Sequence, residues 1–348
     1  MPSKLSVLLI VIVLAVSGCA VQPLLPTAAT PIVRAESVEP VIATRILALD
    51  PERVTEADVR ETLRRGPTPR IMLLHGGIYP VHLSMESFGH FLVAMGYPEE
   101  RIRDPRDHNW SHSPYEDADR LAGIAAWYYE RDGMAPMLIG HSQGGMQAVK
   151  MLRVLNGDYG PEVRVWNPIT DSPDDRTRII DPLSGREQPV VGLRLAYASA
   201  VGAGGAAFLL PNQWSMAGRL RTIPDTVEEF VGYAIDVDLW AWTFPGDPTS
   251  KFTNDGKATV RNVTLPAGYS HVLVPATADL ASDPVARAWI DAYVPGSVSA
   301  GQPAGTGDNL LWAADVWFSI KKHWVLAAQR AIRARSAGVR SVQTGKLE

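Results

Sequence analysis

Residues 71–74 (IMLL) are apolar without alternation, and so are residues 137–139 (MLI). That is the pattern of strands buried on both faces of a parallel sheet. Around them the apolar positions shift to helical spacing. Phe88, Phe91, Leu92 and Met95 share one face of a helix expected over residues 84–95 and stopped by Gly96. Earlier, Thr55 and Asp58 cap a helix near the start of the ordered chain, with Val59 and Leu63 on its apolar side and Gly66 at its end. Ser113, Pro114 and Glu116 signal the start of another helix, through Leu121, Ile124 and Trp127 to about residue 130. One more follows the MLI strand through Met151 and Leu155.

Further along, a strand is expected within residues 191–212, ahead of a Gly/Ala-rich stretch that reads as mobile. Two more are expected at 238–244 (DLWAWTF) and 260–266 (VRNVTLP). Ser282, Asp283 and Pro284 open a helix through Tyr293, and a last helix begins near Leu310. Strand and helix patterns alternate, so the expected class is α/β: a mostly parallel central sheet with helices on both faces. Residues 156–190 are polar and broken by proline, and residues 156–235 are expected to form a cap insertion over the sheet.

Composition narrows the function. Of 348 residues, 46% are hydrophobic and the net charge is −4, which excludes a disordered chain. With 33 Lys and Arg against 37 Asp and Glu there is no basic field for nucleic acid. One Cys permits neither an intrachain disulfide nor a CxxC metal knuckle. No GxGxxG follows a strand, no phosphate-loop or HExxH motif occurs, and His108 and His112 lie among residues that disfavour a helix. No cofactor and no metal are therefore expected.

The single Cys is at position 19, directly after a segment in which Lys4 precedes an uncharged apolar run, residues 5–16. The run is too short to span a bilayer comfortably but suits a signal peptide. Val16-Ser17-Gly18-Cys19 resembles the bacterial lipobox. That resemblance implies a signal peptide at 1–18, lipidation of Cys19 and a flexible tether at 19–45. It implies a bacterial cell-envelope location, anchored in the membrane through Cys19. Ala20 after the Cys favours the outer membrane if the cell is Gram-negative.

Gly140-His141-Ser142-Gln143-Gly144 matches G-x-S-x-G, set between the MLI strand and a helix beginning near Met146. Such a turn strains the Ser backbone, needs small residues two positions either side, and puts the hydroxyl at a helix N-terminus that favours negative charge. Here the chain resembles the α/β-hydrolase family, in its lipase and esterase branch, over about residues 68–293. Leu74-His75-Gly76-Gly77 is similar to that family's HGG oxyanion motif. The resemblance implies an α/β-hydrolase fold over 46–294, a Ser142 nucleophile, and an oxyanion hole built from the N–H groups of Gln143 and Gly77, with Ile78 as the alternative to Gly77. In the family's chain order the base follows the Ser and the acid, leaving His271 and His323 of eight histidines. His323 lies among lysines in a helical segment and reads as a surface residue. His271 sits in a loop just after an expected strand and is taken as the base. For the acid, Asp247 follows the expected strand 238–244, with Asp238, Asp236 and Asp255 as alternatives.

The implied activity is hydrolysis of a carboxylic ester, of a small molecule or a lipid, through an acyl-enzyme, with no obligate protein partner. Acyl transfer by the same triad, or a non-catalytic envelope lipoprotein keeping the scaffold, remain alternatives. Residues 295–348 comprise a linker and a basic C-terminal helix. Val316, Trp317, Ile320 and Trp324 give that helix an apolar stripe, suited to packing on the domain or, alternatively, to lying on anionic lipid.

Overall fold

Five strands, β1 (Ile71–Leu74), β2 (Met137–His141), β3 (Leu195–Val201), β4 (Val227–Ile235) and β5 (Thr259–Leu265), form a sheet in chain order with every pair parallel. The computed structural model describes residues 38–296 and 309–344, so Cys19 and the expected signal segment lie outside the described residues. β1 and β2 are buried along their whole length, as unalternated apolar runs require. Successive side chains point to opposite faces. Ile71, Leu73, Met137 and Ile139 enter one apolar layer, and Met72, Leu74 and Leu138 the other.

The helices are α1 (Pro40–Ala48), α2 (Glu56–Glu61), α3 (Tyr79–Ala94), α4 (Ala118–Asp132), α5 (Gln143–Leu155), α6 (Pro284–Ala292) and α7 (Leu310–Thr344). α4 and α5 cover one face; the others supply the layer on the opposite face. The split follows from a reversal at β1. The chain leaves β1 through α3 and reaches His112, whose N–H donates to Leu73 O at 2.8 Å on the outer edge of β1. It then returns through α4 to β2 on the inner edge. At such a reversal, the crevice beyond the carboxyl ends of the strands is where open α/β sheets hold ligands.

Several expected boundaries are corrected. The ordered chain starts before Thr55: α1 begins at Pro40 and buries Ile42 and Ile46, so the tether does not extend to residue 45. The capping box of Thr55 and Asp58 forms as read. Residues 238–244 are not a strand. Asp238 and Thr243 exchange backbone hydrogen bonds of 3.1 and 3.0 Å and close a tight loop, leaving Leu239, Trp240, Trp242 and Phe244 exposed. The neighbouring strand is β4, which ends at Ile235. A cap over 156–235 is likewise corrected, because that range holds β3 and β4 of the central sheet. Residues 156–190 do lie outside the sheet, as two short hairpins clamped to α4 by the Arg120–Asp171 and Arg176–Glu130 ion pairs.

α7 packs on the domain with Trp312, Trp317, Ile320 and Trp324 buried. Its polar residues are buried too. Asp315 accepts from Tyr233 Oη at 2.5 Å, Arg261 Nη1 at 2.7 Å and Tyr293 Oη at 2.8 Å. His323 is not a surface residue: it is buried, with Nε2 3.2 Å from Glu229 Oε2. Among the described residues no helix is long and apolar enough to cross a membrane.

Candidate active site

β2 runs straight into α5 through Ser142, whose φ of 56° and ψ of −124° lie where non-glycine residues rarely sit. Holding a side chain there costs about 1–3 kcal/mol, so the surroundings must enforce it. They do so by close packing. Ser142 N–H donates to Val201 O at 2.8 Å, and its carbonyl accepts from Gly145 at 3.0 Å. A Cβ on Gly144 would stand 2.2 Å from Leu74 O, so α5 can start against β1 only with glycine there.

Ser142 Oγ lies 2.9 Å from His271 Nε2, and His271 Nδ1 lies 2.6 Å from Asp238 Oδ2. A carboxylate only accepts, so Nδ1–H donates to Asp238, and Nε2 is left to accept the Ser142 hydroxyl. The His271 and Asp238 side chains retain 8% and 1% exposure, so water does not compete for the pair. The other carboxylate oxygen, Asp238 Oδ1, accepts from Trp240 N–H at 2.9 Å and Ala241 N–H at 3.0 Å. Gly202 presses against the assembly. With φ at +61°, a Cβ there would meet His271 Cε1 at 2.8 Å and Nδ1 at 2.9 Å.

Asp247, the acid expected first, is elsewhere. Its carboxylate caps the turn Pro248–Ser250, accepting from Thr249 N–H and Oγ1 at 2.8 Å each. Those bonds hold it below the ordinary carboxylate range. The displacement follows from the misread strand. An acid in the loop after β4 must come soon after Ile235, and Asp238 does. Asp236 extends the β4–β5 pairing through its N–H, bonded to Leu265 O at 2.9 Å, and Asp255 is exposed.

Sequence reading missed one further contributor. His141 is fully buried under the site, and its Nε2–H donates to the His271 carbonyl at 2.6 Å. Burial pushes its pKa down to about 3, so it stays a neutral donor and anchors the backbone that carries His271. It occupies a variable position of G-x-S-x-G, and no local pattern marks that contact.

The expected oxyanion donors flank Ser142. A Cβ on Gly76 would lie 2.9 Å from Ser142 Cβ, and one on Gly77 would lie 2.2 Å from Gln143 Oε1, so the loop after β1 sits against the start of α5. Gln143 is the first residue of α5, where N–H groups lack intrahelical acceptors. Neither its N–H nor that of Gly77 donates to another group among the described residues. Among these residues no cluster of three or more His, Cys, Asp or Glu could hold a metal ion. No known protein-family profile matches the chain, and no curated protein is significantly similar to it.

Proposed function

We propose that the protein is a serine hydrolase of the α/β-hydrolase kind that cleaves carboxylic esters. The observation that carries this reading is the unbroken run Asp238–His271–Ser142, with the hydroxyl 2.9 Å from an imidazole nitrogen free to accept its proton. Serine is a weak nucleophile until a base takes that proton. In the proposed cycle Ser142 Oγ attacks the ester carbonyl while its proton passes to His271 Nε2. Asp238 stabilises the resulting imidazolium and fixes the tautomer. Gln143 and Gly77 N–H groups receive the negative charge on the former carbonyl oxygen, a term of about 3–4 kcal/mol per donor. Collapse breaks the ester C–O bond, and His271 returns the proton to the leaving alcohol. Water, deprotonated by His271, then attacks the acyl-Ser142 ester and releases the acid and the free hydroxyl.

The test is covalent labelling with a fluorophosphonate, which traps an activated serine. Wild-type protein is expected to label, and Ser142→Ala and His271→Ala are expected not to. A folded wild type that fails to label and fails to hydrolyse p-nitrophenyl esters overturns the reading. Attachment to the cell envelope through Cys19 belongs to the same proposal, supported by the lipobox-like sequence alone. Mass spectrometry of the mature N-terminus checks it: an unmodified Cys19 removes the anchor and leaves the hydrolase reading intact.

A further inference from the structure

The loop that holds Asp238 also carries the segment LWAWTF, and nothing in the proposed chemistry uses those side chains. Leu239 is 71% exposed, Phe244 54% and Trp242 50%. Trp242 is held outward at φ +55°, a conformation a bulky residue adopts only under constraint. The constraint is the pinched base, where Asp238 and Thr243 exchange both backbone bonds and Thr243 Oγ1 donates to Ile235 O at 2.9 Å. The Trp240 ring centroid lies 6.4 Å from that of His271, so this finger stands at the mouth of the site. Leu209, Trp214 and Leu273, in the segments after β3 and β5, are also exposed.

The charge pattern identifies what such a face meets. One residue in five of the chain is charged, yet residues 75–85, 202–218, 239–246 and 266–278 contain no Asp, Glu, Lys or Arg. These are the segments that follow β1, β3, β4 and β5 at the strand ends bearing Ser142 and His271. Protruding Trp, Phe and Leu on loops that themselves carry no charge match the interface of a lipid layer, where amphipathic rings sit among headgroups, and the finger presents no cation of its own to an anionic headgroup. A lipid on Cys19 would bring a bilayer within reach, since the chain from there to Val38 spans at most roughly 65 Å.

We propose that the loop Asp238–Phe244 is a docking finger that seats the active-site face on an electrically neutral lipid surface, so that the residues gripping the acid also present the site to water-insoluble esters. The proposal deepens the hydrolase reading and rests on it for the ester, but docking itself requires no turnover. Full-length protein with Cys19→Ser, to exclude an acyl chain, and Phe244→Cys as its single thiol is labelled with the polarity-sensitive fluorophore nitrobenzoxadiazole. The comparison protein carries Val285→Cys instead, on α6, which packs through Arg287 on the carbonyl of Ala94 at the end of α3 away from the site.

With phosphatidylcholine vesicles, the probe at 244 is expected to brighten and shift to the blue, while the probe at 285 does not. Adding Leu239→Ser and Trp242→Ser, both solvent-facing, is expected to raise the lipid concentration needed by roughly ten-fold. Replacing part of the lipid by anionic phosphatidylglycerol leaves the response unchanged. An unmoved probe at 244, an equal response at 285, a response that needs anionic lipid, or one elicited instead by maltoheptaose each overturns the proposal. The readout works equally in Ser142→Ala protein and needs no turnover, so a wild type that docks but does not label with fluorophosphonate removes the enzyme reading alone.

Discussion

One strand of the sheet carries a buried histidine–carboxylate pair at each end. Near the start of β4, Glu229 meets His323; just past its end, Asp238 meets His271. The two pairs differ in everything around the contact. Glu229 Oε2 also lies 2.9 Å from Lys322 Nζ, and Arg261 Nε stands 3.9 Å from the other oxygen. Burial raises its pKa, but the hydrogen bonds and charges of His323 and Lys322 outweigh that cost and pull it down to about 2. Asp238 instead receives two neutral backbone amides and the imidazole. The outer nitrogen of His271 then faces a serine hydroxyl, whereas Nδ1 of His323 is buried with no hydrogen-bond partner among the described residues. A buried His–carboxylate contact is therefore not itself a site. What distinguishes the Asp238 end is a carboxylate held by neutral amides instead of cations, and a hydroxyl within reach of the second imidazole nitrogen.

Substitutions at the Asp238 end test that distinction most sharply. Ser142→Ala is expected to lower kcat/KM for a soluble ester by at least ~10⁴-fold with an unchanged unfolding midpoint. Asp238→Asn leaves the shape intact but offers His271 the wrong partner, and a loss of about 10²–10⁴-fold is expected. Asp247→Asn, which disturbs only a surface turn, is expected to stay within about two-fold. A large loss for Asp247→Asn with Asp238→Asn near wild type would return the acid to Asp247. Gly202→Ala forces a methyl onto the imidazole at a positive φ, and displacing the base by about 1 Å predicts roughly a 10²-fold loss. Steady-state kinetics on one p-nitrophenyl ester reads all four.

The Ser142 end was legible because its constraints are local. A strand, a strained residue and glycines packed against neighbouring backbone all fall within GHSQGG, and Gly144 against Leu74 O shows why the pattern has no slack. His271 could be reached because the resemblance's chain order left two histidines and only His271 sits in a loop just after an expected strand. Asp238 was obscured by its own loop. DLWAWTF has the apolar and aromatic density of a strand, yet those side chains face solvent, and the preceding VEEFVGYAI is the strand although it carries two acids. One of them, Glu229, is tolerated in a central strand only because α7 brings His323 and Lys322 to it from far along the chain. For the same reason His323 resembled a surface residue: the lysines beside it mark an exposed helix unless their partners are known. Lys321 is buried and donates to Val54 O at 2.6 Å, an acceptor no nearby sequence reveals. The Cys19 expectation falls outside the described residues.

The Glu229 end should respond in stability and not in rate. Glu229→Gln leaves His323 and Lys322 beside an uncharged amide, and breaking a buried pair in this way costs about 3 kcal/mol. Activity per folded molecule is expected to remain within about two-fold, read by urea denaturation and kinetics on the same samples. Loss of activity without loss of stability would erase the contrast between the two pairs. The pH dependence follows with a definite sign. Glu229 has a folded pKa of about 2 against an ordinary 4.5, so the folded state binds fewer protons than the unfolded state between those values. Its contribution is therefore complete above about pH 4.5 and drains away as pH falls toward about 2. Wild-type stability should fall more steeply than that of Glu229→Gln through this window, and the two should converge near its acid end. Parallel slopes would mean that the cations around Glu229 rearrange on protonation, and that the α7 contacts adapt where those of the Asp238 loop cannot.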